Sequence, residues 1–235
     1  MNPSNRKALV LGGTSGIGLA TALQLKALGA TVIVFGRSAA NLDAARAQGL
    51  DARAVDVLDR DALAGVFAAC APFDILVNAA TGGPRAAGPF LAMDLDAYQA
   101  SFQKLWGYTN AVRLAAGHMP DDGTIVLVSG APARRPRPGQ IALCSVGGAV
   151  EAFVRGVAGE LAPRRINVVS PGIIDTPMFS VSGDAREKFL QQATGRHLIP
   201  RAGTPDEVAQ GILFAITNDF VTGTTIDVDG GWLQS

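Results

Sequence analysis

The stretch Val10-Leu11-Gly12-Gly13-Thr14-Ser15-Gly16-Ile17-Gly18-Leu19 restricts the folds open to this chain more than any other. A short apolar run, Ala8 to Leu11, feeds straight into glycines at 12, 16 and 18. A helical pattern of Leu19, Ala20, Leu23, Leu25 and Leu28 follows and ends at Gly29. The expected local structure is strand, glycine-rich turn, helix. Gly12 can make a sharp turn that a residue with a Cβ would resist. Gly16 keeps the backbone open to a pyrophosphate, and Gly18 lets the helix sit close to the strand. The first N–H groups of such a helix face an anion, and its dipole favours negative charge there. Glycine spacing alone is weak in a chain with 28 glycines; the position between a buried strand and an amphipathic helix gives it meaning.

Strand and helix signals alternate to the end. Strands are expected over 31–35, 52–57, 75–77, 124–128, 166–169 and 225–228. Helices are expected after Ser38 and after Asp59, both plausible N-caps, and then over 96–117 and 141–161. A last helix opens with Thr204-Pro205-Asp206-Glu207, a capping box with proline at its first position. The loop 81–89 is rich in Gly and Pro, 129–139 is rich in Pro and Arg, and 178–201 reads as a variable lid. No linker or internal repeat is visible. Strict alternation implies parallel strands with right-handed crossovers. The fold class is therefore α/β: a single Rossmann-type doubly wound domain over 1–235, with about seven parallel strands and helices on both faces. A ligand belongs at the carboxyl ends of strands one and four, where the winding reverses.

With 48% apolar and 17% charged residues, the chain has material for a large core and too little charge for disorder. Its net charge of zero gives no field for nucleic acid or an anionic membrane. The basic run Arg134-Arg135-Pro136-Arg137 has no interleaved aromatics to stack bases and reads as a solvated loop. Residues 1–7 are polar and lack the pattern of a signal peptide. No apolar stretch is read as reaching the ~18 residues of a membrane span. Cys70 and Cys144 make neither a disulfide framework nor a metal cluster, and His118 and His197 lie far apart. No metal site, and a reduced cytoplasmic setting, are the expectations.

Several segments together resemble the short-chain dehydrogenase/reductase family over essentially the whole chain. The turn Gly12-Gly13-Thr14-Ser15-Gly16-Ile17-Gly18 is similar to the family's cofactor turn, with Leu11 where threonine is usual. Asp56-Val57 matches the acidic position that in the family contacts adenine. Val77-Asn78-Ala79-Ala80 resembles the Asn-Asn-Ala-Gly motif with only the first asparagine kept. Pro171-Gly172-Ile173-Ile174-Asp175-Thr176 matches the segment that holds the nicotinamide end, and Asp227-Val228-Asp229-Gly230-Gly231 matches the terminal turn. Cofactor identity is read at the end of strand two, Val34-Phe35-Gly36-Arg37-Ser38. No acid is present there to bind a ribose diol. Arg37 offers a guanidinium fork, and Ser38 a hydroxyl, to a 2′-phosphate. NADP(H) is expected over NAD(H); a solvated surface arginine is the alternative for Arg37.

The resemblance also locates the family's catalytic serine, tyrosine, lysine and asparagine, and here the chain departs. Gly130, Leu143, Gly147 and Lys104 stand at those positions. Leucine has no proton to exchange, and glycine at 147 removes an ammonium. Lys104 is the candidate replacement, with Tyr108 one helical turn on, on the same face; a structurally paired lysine is the alternative. Ser129 is a candidate donor to substrate or else a structural strand-end serine. Cys144 and Ser145 start the small-residue helix, where packing competes with any reactive role. Four functions stay open: an oxidoreductase with a rearranged site, a silent NADP(H)-binding module, a non-redox lyase, isomerase or cyclase, and a structural subunit. The lid carries Phe179, Phe189, Leu190, His197 and Leu198, with His197 read as a surface histidine. By resemblance, the helices over 96–117 and 141–161 pair in a homodimer or homotetramer.

Overall fold

Seven parallel strands form one sheet in the computed structural model, which describes residues 1–179 and 181–235. They are β1 (Lys7–Leu11), β2 (Thr31–Gly36), β3 (Asp51–Ala54), β4 (Ile75–Asn78), β5 (Thr124–Val128), β6 (Arg165–Pro171) and β7 (Thr225–Val228). Their spatial order is β3-β2-β1-β4-β5-β6-β7. Leu9 of β1 lies between Ile33 of β2 and Leu76 of β4. The winding reverses between β1 and β4, which opens a crevice at their carboxyl ends. The doubly wound seven-stranded sheet is the one expected from the alternation.

Among the described residues there are eight α-helices: α1 (Gly16–Ala27), α2 (Ala39–Ala47), α3 (Arg60–Cys70), α4 (Leu95–Ser101), α5 (Gln103–Ala115), α6 (Ile141–Leu161), α7 (Gly183–Thr194) and α8 (Pro205–Thr217). Alternate strand residues feed opposite cores. Leu9 and Leu11 join Phe67 of α3, Tyr108 of α5 and Val150 of α6. Ala8 and Val10 join Leu25 of α1, Leu42 of α2 and Val208 of α8. Each fully buried Leu or Phe stabilises by roughly 1.5–3 kcal/mol. Ser38 and Asp59 cap α2 and α3, and the Thr204–Glu207 capping box closes in both directions.

Four expectations need correction. The helix expected over 96–117 is two, α4 and α5, with Phe102 at the break. There the Phe102 ring meets Tyr98 edge-on, and the backbone of Gly82 packs on Gln103 and Lys104. The third strand stops at Ala54, after which Val55 makes one more bond, to the Gly36 carbonyl. The 178–201 segment contains α7; Ser180 of that segment lies outside the described residues. Finally, α6 is the one helix among the described residues long and apolar enough to cross a membrane. It is the crossover from β5 to β6, and Val150 and Val154 bury one of its faces against the sheet.

Candidate functional site

A cleft of about 1100 Å³ lies over the carboxyl ends of β1 and β4. The glycine turn forms its floor. Gly12 has φ of 72°, and a Cβ there would stand 2.6 Å from the Ala80 nitrogen. A Cβ at Gly18 would stand 2.1 Å from the Gly12 carbonyl oxygen. The turn therefore keeps β1, the β4 turn and α1 at a separation that side chains would destroy. Ser15, the N-cap of α1, makes no side-chain capping bond. The first turn of α1 thus offers N–H groups to an anion, and the cradle fits a pyrophosphate.

Gly12, Thr14, Ser15, Gly16, Ile17, Gly18, Arg37, Ser38, Asp56, Val57, Ala79, Ala80, Pro171, Gly172, Ile174 and Thr176 all line the cleft. Asn78, expected with them, does not. It is fully buried, its Oδ1 accepting from the Ala80 N–H at 3.1 Å, so it shapes the turn after β4. Arg37 donates from Nη1 to the Gly82 carbonyl at 2.9 Å and stands 3.6 Å from the Asp56 carboxylate. The Ser38 oxygen accepts from the Asn41 N–H, which leaves its own hydrogen to donate.

The other end of the cleft is built by the end of β5, the first turns of α6, the start of α5 and the lid. Ser129, Gly130, Leu143, Gly147, Lys104, Arg85, Met178, Phe179 and Phe189 line it. Lys104 is 8% exposed; its Nζ donates to the Ser129 carbonyl at 3.3 Å and lies 5.5 Å from the Tyr108 ring centroid. Burial, and secondarily the charge of Arg85, hold its amine well below the usual lysine range. Arg85 opens to solvent along the cleft, yet protein surrounds its guanidinium closely enough that desolvation lowers its pKa. Its Nη1 lies 3.1 Å from the Met178 sulfur.

Two candidate catalytic residues, Ser129 and Tyr108, have their hydroxyls bonded within the protein, which for Ser129 agrees with the structural alternative. The Ser129 hydroxyl donates to Glu151 Oε1 at 3.0 Å, and Glu151 in turn receives Arg134 Nε at 3.3 Å. Ser129 borders the cleft with its proton already engaged. Tyr108 does share a helix face with Lys104, but that face descends into the core. Its side chain is fully buried, its hydroxyl donates to the Val128 carbonyl at 3.0 Å, and burial pushes its phenol pKa up. It lies outside the cleft lining. His197 is also not a surface residue. It is 5% exposed, 5.2 Å from the Trp232 ring and 3.3 Å from Arg137, and burial followed by Arg137 lowers its pKa.

Gly130 has φ of 167°, extended backbone, and a Cβ there would meet nothing closer than 3.6 Å. Gly147 differs: a Cβ would stand 2.9 Å from the Ala133 Cβ, in the 3-10 turn Ala131–Ala133. That turn lies where a side chain at 147 would begin. Arg85 and Glu151 are site residues that sequence reading missed. Glu151 had a signal, a carboxylate four residues after Gly147 in a helix of small residues. Arg85 had only its place in the loop after β4.

Comparison with known proteins gives the site a context. A family model described as Enoyl-(Acyl carrier protein) reductase matches residues 12–233. The L-xylulose reductase of Mus musculus is 31% identical over 242 residues, covering 99% of this chain and 98% of the relative. The 3-oxoacyl-(acyl-carrier-protein) reductase FabG of Thermotoga maritima is 34% identical over 248 residues, covering 98% and 99%. A crystal structure of a small-chain dehydrogenase in complex with NADPH superposes with a TM-score of 0.85 at 29% identity, covering 99% of this chain and 100% of that one. Fold, glycine turn and end-to-end similarity agree: the chain belongs to the short-chain dehydrogenase/reductase family.

Proposed function

We propose that the chain binds NADP(H) in this cleft and reduces a small carbonyl compound, with Lys104 acting where the family uses tyrosine. The carrying observation is the nine-tenths-buried Lys104 amine. It borders the same end of the cleft as Gly130, Leu143 and Gly147, whose side chains hold no exchangeable proton. Similarity to proteins named as reductases, one of them solved with NADPH, supports the redox reading. When bound, the reduced nicotinamide supplies a hydride. The residues of the chain do the rest. The turn Gly12 to Gly18 binds the pyrophosphate, Arg37 and Ser38 the 2′-phosphate, and the Pro171–Thr176 segment borders the nicotinamide end. Lys104 Nζ hydrogen-bonds the carbonyl oxygen; as the carbon gains hydride, the oxygen takes the C=O electron pair and the Lys104 proton. An amine whose pKa is lowered by burial gives up its proton more readily near neutral pH. Phe179 and Phe189, with ring centroids 5.3 Å apart, give this end an apolar wall.

A second reading is a silent NADP(H)-binding subunit, or a non-redox lyase or isomerase on the same fold. The engagement of Ser129 by Glu151 and the closure of Ala133 over Gly147 favour it. In either reading the exposed Trp106 on α5 and the small residues of α6 offer the surfaces for a homodimer or homotetramer. Fluorescence titration tests the cofactor: NADPH is expected to bind more tightly than NADH. Arg37→Ala should weaken NADPH by about 10–100-fold, the worth of one or two charge-assisted bonds, and leave NADH unchanged. Tighter NADH binding contradicts the assignment. NADPH oxidation with a panel of ketones separates the two readings, because stable binding without turnover supports the silent one.

A further inference from the structure

We infer that the lysine end of the cleft is an anion subsite that selects an oxo acid, with the substrate carboxylate on Arg85 and its carbonyl oxygen on Lys104. The inference rests on the carbonyl-reductase reading above and names the substrate class for the same site. It starts from a charge imbalance. The cleft is lined by four cationic side chains, Arg37, Arg85, Lys104 and Arg137, and by one acidic one, Asp56. The whole chain balances at zero, so the excess is local.

Two of the four are accounted for. Arg37 stands beside Asp56 at the end of β2. Arg137 donates to the Ala193 carbonyl, meets His197 and lies 4.6 Å over the Trp232 ring. Arg85 and Lys104 remain, close enough for the charge of one to depress the other's pKa. Among the described residues, no carboxylate lies within 4.0 Å of either, since neither occurs in an ion pair. The buried carboxylate of this region, Glu151, is already held by Ser129 and Arg134.

Lys104 is buried and Arg85 opens along the cleft, and among the described residues neither has a counter-charge, so a bound anion would favour the charged form of both. Among the described residues Lys104 has one hydrogen bond, to a carbonyl, and an ammonium has three donors. Among the described residues Arg85 meets only a thioether, a weak acceptor, and its planar fork matches the two oxygens of a carboxylate. Around the pair the walls are apolar: Leu143, Met178, Phe179 and Phe189. The complementary ligand has a carboxylate, a neighbouring carbonyl and a hydrocarbon body.

The probes are 2-oxo-4-phenylbutanoate and its ethyl ester, titrated calorimetrically into the protein with and without saturating NADP⁺. The acid should bind about tenfold or more tightly than the ester, the worth of one charge-assisted bond. Arg85→Gln should erase that preference by weakening the acid, with the ester and NADP⁺ little changed. Arg85→Lys, which keeps charge and loses the fork, should fall between. Equal affinity of acid and ester, undetectable acid binding at millimolar concentration, or loss of NADP⁺ binding in Arg85→Gln would each overturn the subsite. If wild-type protein does not bind NADP(H) but still prefers the acid, the cofactor reading fails and the subsite stands.

Discussion

The proposed chemistry of Lys104 and the stability of the fold make opposite demands on this residue. Its amine is held below the usual lysine range mainly by desolvation, so the folded protein binds fewer protons than the unfolded chain between the folded pKa and about 10.4. Stability should therefore rise with pH through that window, and the destabilisation is complete below the folded pKa. Lys104→Met removes the buried amine and with it the cost of desolvating its charged form. Its melting temperature at pH 7 should exceed that of the parent, by roughly 2–4 °C for each kcal/mol recovered, with the gap closing as pH approaches about 10. Differential scanning fluorimetry across pH measures this; a lower melting temperature at pH 7 would mean that the lysine is structurally required. Lys104 was legible in the sequence because its place follows from counting along a helix. The fates of Ser129 and Tyr108 were not. Each is decided by a partner distant in sequence, Glu151 for one and the Val128 carbonyl for the other.

The elements themselves were legible wherever local chemistry decides them. The β5 and β7 bounds, the full length of α6 and the Thr204 capping box all come from apolar runs, caps and breakers in the sequence. Where tertiary contact decides, the reading drifted. No residue over 96–117 demands a break at Phe102, and α7 carries too little apolar pattern to stand out from the lid. The contact of α6 with the 131–133 turn makes a prediction at this scale. In an open helix interior, Gly→Ala gains about 1 kcal/mol. At Gly147 the new Cβ meets the Ala133 Cβ at 2.9 Å, and overpacking of this kind costs about 1–3 kcal/mol. Gly147→Ala should thus be destabilising in urea, while Gly130→Ser, with open space around it, should stay within about 0.5 kcal/mol of the parent. A stabilised Gly147→Ala would show that the 131–133 turn yields easily to a Cβ at this position.

For the whole molecule, parallel order and the switch point between β1 and β4 follow from alternation alone, so the position of the cleft was legible before its contents. The loop arginine at 85 and the network Ser129–Glu151–Arg134–Asp227, buried at Ser129 and Glu151 and exposed at Arg134 and Asp227, were not, because only the assembled sheet brings 85, 129, 151 and 227 to one end. Beyond the cleft, Trp106 on α5 is 61% exposed beside the small-residue helix α6. Light scattering at micromolar concentration should give a dimer or tetramer, and Trp106→Glu should shift it toward monomer; a monomeric parent would refute the expected pairing of α5 and α6. The central claim is that the cofactor cradle is retained while proton delivery has moved to Lys104. Its most direct test is NADPH oxidation by Lys104→Met against the parent, with an accepted carbonyl substrate and at saturating NADPH. The account predicts a fall in kcat of about 10²–10⁴-fold, the usual worth of a positioned acid, with an unchanged NADPH dissociation constant. Undiminished turnover in Lys104→Met would contradict it.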